Sequence, residues 1–279
     1  MLRKHSDKMV IVLEGNRKFY MDGYLRSNLD TAKRVIPQDW DMVFVVDGPE
    51  GSGKSVHAQQ MATYCDESFT IERIAFTPQE FRKAIMAAKK GQAIIYDEAY
   101  TGLSSRATMS LINRTLISML AEIRQRNLFV FVVMPCYFDL DKYVALWRSR
   151  ALIHVYTAPG FKRGYFAFYN DKLKKDLYIH GKKFYSYSKP KANFYGRFTN
   201  HYTVDEAAYR KKKKDSLIER EKRKEEAEKR KEIEQMMFVR LQEMPDEITH
   251  SLKIKILALP SSTYFRKLKQ YQEMKELDY

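Results

Sequence analysis

The stretch Gly48-Pro49-Glu50-Gly51-Ser52-Gly53-Lys54-Ser55 has the spacing G-x-x-x-x-G-K-[ST], and its residue types suit the cradling of a triphosphate. The glycines let successive backbone N–H groups converge on phosphate oxygens, and a helix starting behind them adds partial positive charge. Lys54 would reach the β- and γ-phosphates. Ser55 would ligate Mg²⁺ through its hydroxyl, because a nucleotide-bound Mg²⁺ takes one or two protein oxygens and keeps several waters. The expected nucleotide-binding set is Gly48, Pro49, Glu50, Gly51, Ser52, Gly53, Lys54, Ser55 and Val56. A second run, Ala93-Ile94-Ile95-Tyr96-Asp97-Glu98-Ala99, ends an apolar segment in two carboxylates. Asp97 would join Ser55 at the metal, and Glu98 beside it can orient and deprotonate a water for attack on the γ-phosphate. That arrangement favours hydrolysis over transfer to an acceptor, since a kinase must exclude water. No guanine-selective N/T-K-x-D motif is visible, so ATP and Mg²⁺ are the expected pair.

Such a loop needs a strand before it and a helix after it. Met42 to Val46 is apolar and β-branched, and a helix is expected from Gly53 towards Tyr64. Thr77, Pro78 and Glu80 form a capping box with proline at the first helical position; Phe81, Ala84, Ile85 and Ala88 follow at helical spacing, and Gly91 is the expected stop. Gln92 to Tyr96 reads as a second buried strand. Leu111, Ile112, Thr115, Leu116, Met119, Leu120 and Ile123 mark one face of a long helix, and the runs LFVFVVM and ALIHVY add two strands. This alternation predicts an α/β fold with a mostly parallel sheet covered by helices on both faces. Earlier in the chain, Met9 to Leu13 reads as a strand and Asp30 to Val35 as the end of a short helix.

The two motifs, with Glu98 next to Asp97, resemble those of the ASCE division of P-loop ATPases, whose RecA-like cores place an extra strand between the two motif strands. The short core, the loop after LFVFVVM and the basic segment beyond are similar to the FtsK/HerA-type DNA-pumping group and the allied zonular-occludens-toxin-like and viral DNA-packaging ATPases. The resemblance spans about Met42 to Tyr156. It implies an oligomeric ring that couples ATP hydrolysis to DNA translocation, packaging or remodelling, with a protein partner in a packaging or transfer complex. It also implies an arginine supplied by the neighbouring subunit; Arg124, Arg126, Arg148 and Arg150 are candidates, with Arg148 and Arg150 ranked first. One departure is plain, for the third core strand ends Met134-Pro135-Cys136 where such motors carry a polar sensor. An ATP-switched DNA-binding adaptor and a membrane-associated assembly ATPase of the zonular-occludens-toxin type are the alternative readings.

Composition fits a polyanionic partner, since 50 Lys and Arg against 35 Asp and Glu leave a net charge of +15. Two widely spaced cysteines give neither a disulfide framework nor a zinc site, and a cytoplasmic setting is expected. No apolar run approaches the roughly 20 residues of a spanning helix. The sequence divides into an N-terminal segment (1–40), an ATPase core (41–157), a β-rich basic extension (158–203), a charged helical connector (204–243) and a small helical piece (244–279). In the extension, aromatics alternate with polar residues around the turn-forming Asn170-Asp171 and His180-Gly181, which predicts antiparallel strands. In the last piece, LALPSSTYFRKLKQY resembles the turn and recognition helix of a helix-turn-helix. Ser262, Thr263, Arg266 and Lys267 would face DNA, and Phe265, Leu268 and Tyr271 would pack. A helical hairpin for self-association is the other reading of that piece.

Overall fold

The computed structural model describes residues 9–14, 17–97, 106–244 and 248–277. Two strands, β1 (Met9–Glu14) and β2 (Arg17–Asp22), form an antiparallel ribbon. The Asp22 carboxylate then accepts from the backbone N–H of Tyr24 and Leu25 and caps α1 (Gly23–Val35). After β3 (Met42–Asp47) the glycine-rich loop leads into α2 (Lys54–Cys65). A short β4 (Ile74–Ala75) precedes α3 (Pro78–Ala87), where Thr77 accepts from the Glu80 N–H as the predicted N-cap, while the Glu80 carboxylate reaches back one residue further than a capping box requires and accepts from the Phe76 N–H. Then come β5 (Ala93–Asp97), α4 (Arg106–Arg126), β6 (Phe129–Met134), β7 (Ser149–Ala158) and β8 (Lys162–Tyr169). Between β8 and β9 (Phe194–Arg197) lies α5 (Asp171–Gly181).

The seven longer-range strands make one sheet in the order β4-β5-β6-β3-β7-β8-β9. From β4 to β7 every pairing is parallel, and β8 and β9 add on antiparallel. In β3, Phe44 and Val46 pack towards α1 and α2, while Val43 and Val45 pack towards α3, α4 and α5. Both faces are covered, which is why β3 and β6 read as unbroken apolar runs. Leu116, Met119 and Ile123 are the buried side of α4, as the helical spacing predicts.

The basic extension departs from expectation. Asn170 is the N-cap of α5, accepting from the Leu173 N–H, and residues 171–181 form a helix instead of a strand. Leu173, Leu177 and Tyr178 lie on its packed side, a 3.6-residue pattern that the aromatic–polar alternation around it masks. Lys174 is buried with them, its ammonium donating to Ala145 O at 2.8 Å and Leu146 O at 3.0 Å and pairing with Asp171 at 3.2 Å. Burial pushes its pKa down to about 8.

The chain forms two compact units, residues 1–216 and 217–279, and the boundary falls within the long helix α6 (Glu206–Glu243). In the second unit α7 (His250–Leu257) and α8 (Ser261–Leu277) gather around Phe238, Leu241, Leu257 and Tyr264. Leu268 and Tyr271 pack there as predicted, but Tyr264 takes the place assigned to Phe265, which is half exposed. No helix among the described residues is long and apolar enough to cross a membrane.

Candidate nucleotide site

The loop that follows β3 owes its shape to its glycines. Gly48, Gly51 and Gly53 have φ of 139°, 72° and 100°, a region that side chains disfavour. At Gly48 a Cβ would also lie 1.9 Å from Val155 O of β7, so the loop starts flush against the neighbouring strand. At Gly53 it would lie 3.1 Å from the Phe198 ring. Lys54, the first residue of α2, turns its ammonium back over the loop and donates to Gly48 O at 2.6 Å and Pro49 O at 2.7 Å. Burial lowers its pKa, and the Asp47 and Asp97 carboxylates oppose that shift. The Ser52 hydroxyl is buried inside the loop with no hydrogen-bond partner among the described residues.

Asp47, at the end of β3, is fully buried and accepts from three groups. These are the Tyr137 N–H at 2.8 Å, His154 Nδ1 at 2.9 Å and the Tyr187 hydroxyl. The His154 ring stacks on Tyr187 with centroids 3.7 Å apart, and Tyr187 also reaches Cys136. Asp97 ends β5 and is likewise buried. Its Oδ2 accepts from the Tyr209 hydroxyl at 2.7 Å, and the same phenol lies within hydrogen-bonding reach of the Ser55 side chain. Burial and the Asp97 charge together raise the Tyr209 pKa.

Lys54, Ser55 and Asp97 therefore come together at the C-terminal end of the parallel strands, with β6 inserted between β3 and β5. Val56 is buried behind the loop. Glu98 lies outside the described residues. Arg148 and Arg150 sit at the other end of the sheet, because Ser149 is level with Val43, ~13 Å along the strand from Asp47 at about 3.3 Å per residue. There Arg148 makes a 2.6 Å ion pair with Asp41, and Arg150 lies over the Trp40 ring at 5.0 Å. In the second unit, Ser262 and Arg266 are exposed and Thr263 is half-buried; Lys267 pairs with Glu234 at 2.6 Å.

Sequence reading missed Tyr209, Phe198 and the Asp47–His154–Tyr187 group. Each reaches the site across more than a hundred residues of chain or from a segment without a motif, so no local spacing announces it. No protein-family model matches the chain, and no curated protein matches it in sequence.

Proposed function

We propose that this protein is a Mg²⁺-dependent P-loop ATPase that couples ATP hydrolysis to translocation, packaging or remodelling of DNA as an oligomeric ring. One observation carries the nucleotide reading. A glycine loop whose shape excludes side chains ends in Lys54, and the Ser55 hydroxyl and Asp97 carboxylate converge beside it on one phenol. The residues fit the group. The buried, unpartnered Ser52 hydroxyl and the inward-turned Lys54 ammonium offer donors to a polyanion, and Ser55 with Asp97 is a hard-oxygen pair suited to Mg²⁺. The insertion of β6 between β3 and β5 is the strand order that the ASCE resemblance implies. Mg²⁺, when bound, supplies charge that draws electron density from the phosphates. The chain's own part is to hold the phosphates with the loop amides, to place Lys54 against them, and to take a proton from water at the Glu98 carboxylate.

The DNA part rests on charge. Lys162, Arg163, Lys182, Lys183, Lys191 and Arg197 are exposed in the segment from β8 to β9, and Phe184 and Tyr185 are exposed among them. Phe166, Tyr169 and Tyr178, by contrast, are buried core residues, and Lys174 serves the interior. A neighbour's arginine would complete the ring site; Arg148 could serve only by breaking its pair with Asp41.

Steady-state ATPase rates with and without double- and single-stranded DNA, at two salt concentrations, test the proposal. DNA stimulation that weakens with salt is expected in the wild type, and turnover should fall at least ~100-fold in Glu98→Gln. Turnover unchanged by Glu98→Gln would remove the catalytic assignment, and indifference to DNA would remove the motor.

A further inference from the structure

The start of α6 is placed over the nucleotide site by a set of specific contacts. The segment before it is strapped to α2. Gln60 donates to Thr199 O at 2.7 Å and His201 O at 2.9 Å, and the Thr63 hydroxyl donates to Thr203 at 2.7 Å. Within α6, Lys212 donates to Ile71 O at 3.1 Å and Ile74 O at 2.6 Å beside β4. Between these two anchors Tyr209 is nearly fully buried, its ring against Phe76 and Tyr202 and its hydroxyl on Asp97, close to the Ser55 side chain. One turn on, the Lys213 ammonium lies 5.8 Å over the Tyr209 ring, and its positive charge acts on Lys54.

Ser55 and Asp97 are the two side chains that the nucleotide reading assigns to Mg²⁺. A phenol that donates to Asp97 Oδ2 at 2.7 Å occupies one of the carboxylate oxygens that a cation would draw on, so the two compete for it. We infer that the first turns of α6 are an inhibitory latch on this site, closed by the Tyr209 hydroxyl and opened when Mg²⁺ and nucleotide bind together. The inference rests on the nucleotide reading above. It assigns regulation to a segment 112 residues from Asp97 in the chain and makes α6 the element that moves with nucleotide state. The latch is selective. Nucleotide without metal needs Lys54 and the loop amides but leaves the phenol on Asp97, whereas Mg²⁺ with nucleotide competes for that carboxylate.

The test is binding of adenylyl imidodiphosphate to the full chain, with Mg²⁺ or with EDTA, in wild type and Tyr209→Phe. The variant keeps the ring and its packing and removes only the hydroxyl. A hydrogen bond to a charged group is worth a factor on the order of 10 in an equilibrium constant. Tyr209→Phe should therefore bind the Mg²⁺ complex about 10-fold more tightly and the metal-free nucleotide with unchanged affinity. Hydrogen exchange in wild type supplies a readout that needs no variant, and amides of residues 206–213 should exchange faster when Mg²⁺ and the analogue are added together. Equal or weaker binding of the Mg²⁺ complex by Tyr209→Phe, or slower exchange in 206–213, would overturn the latch while leaving the nucleotide site intact. Absence of any analogue binding by either protein would instead remove the nucleotide reading, and the latch with it.

Discussion

Replacing Arg148 by methionine separates two roles for this arginine. Its guanidinium lies 2.6 Å from Asp41, with side-chain exposures of 11% and 4%. Removing one member of a buried pair strands the other charge in the interior, a loss of about 3–5 kcal/mol. Domains of this size are stable by roughly 5–15 kcal/mol and shift by about 2–4 °C per kcal/mol, so Arg148→Met should lower the melting temperature on the order of 10 °C. The chain carries two tryptophans, Trp40 and Trp147, each adjacent in sequence to one partner of the pair. Guanidinium unfolding followed by tryptophan fluorescence therefore reports the region directly. Adding Asp41→Asn to Arg148→Met should recover part of the loss, because the stranded carboxylate is gone, and the cycle yields the coupling. A structural pair predicts that any fall in ATPase rate follows the loss of folded protein. If Arg148→Met were instead within about 0.5 kcal/mol of wild type, inactive alone, and rescued by mixing with Glu98→Gln subunits, the arginine would be acting across a subunit boundary and the argument would fail.

Three further substitutions test the loop and the core beneath it, one of them as a control. Gly48→Ala should destabilise the protein by more than ~3 kcal/mol, since its Cβ meets Val155 O at 1.9 Å on top of an unfavourable φ. Gly160→Ala, at φ 77° with open space around it, should cost only about 1–2 kcal/mol, and equal melting temperatures for the two would contradict the packing described. His57 is buried between Phe166 and Phe198 at centroid distances of 4.7 and 4.3 Å, and burial holds its pKa down to about 3. Between that value and the unfolded value of 6.5 the unfolded chain binds the extra proton, so stability should fall as pH drops below 6.5 and level off near 3. From pH 7.5 to pH 5 the loss from this group is about 2 kcal/mol, and His57→Phe should flatten that part of the curve in urea titrations.

What the sequence disclosed, and what it did not, follows from the range of each signal. The helix cap at Thr77, the apolar runs of β3, β5 and β6, and the glycine loop are all written within a few neighbouring residues, and each forms where its pattern lies. The segment 171–181 failed because two periods meet there. The flanking runs alternate aromatic with polar residues, yet Leu173 and Leu177 stand four apart and Asn170 stands three before Leu173, which is the helical and capping pattern that the chain follows. In α8 only the first position of the packed face differs. Tyr264, Leu268 and Tyr271 stand at i, i+4 and i+7, and the contact of Tyr264 with Phe238 of α6 favours it over its neighbour Phe265. The partners of Asp47 and Asp97 are 90 to 140 residues away, and only the closed sheet reveals them.

Those distant partners also explain how the loop is held in shape. Asp47 precedes the loop and is fully buried, so an unsatisfied carboxylate there would be costly, and a mobile one would let the loop drift. Donors from three separate segments, Tyr137, His154 and Tyr187, satisfy it and fix the end of β3. Gly48 is fixed in turn by contact with β7, and Gly53 by Phe198 from the segment that leads to α6. The loop is thus braced by elements on both sides of β3, while the Asp97 carboxylate beside it meets the start of α6. A rigid cradle with one adjustable neighbour has a mechanical consequence. On the nucleotide reading proposed above, a change at the loop would be taken up where Tyr209 meets Asp97, at the start of α6.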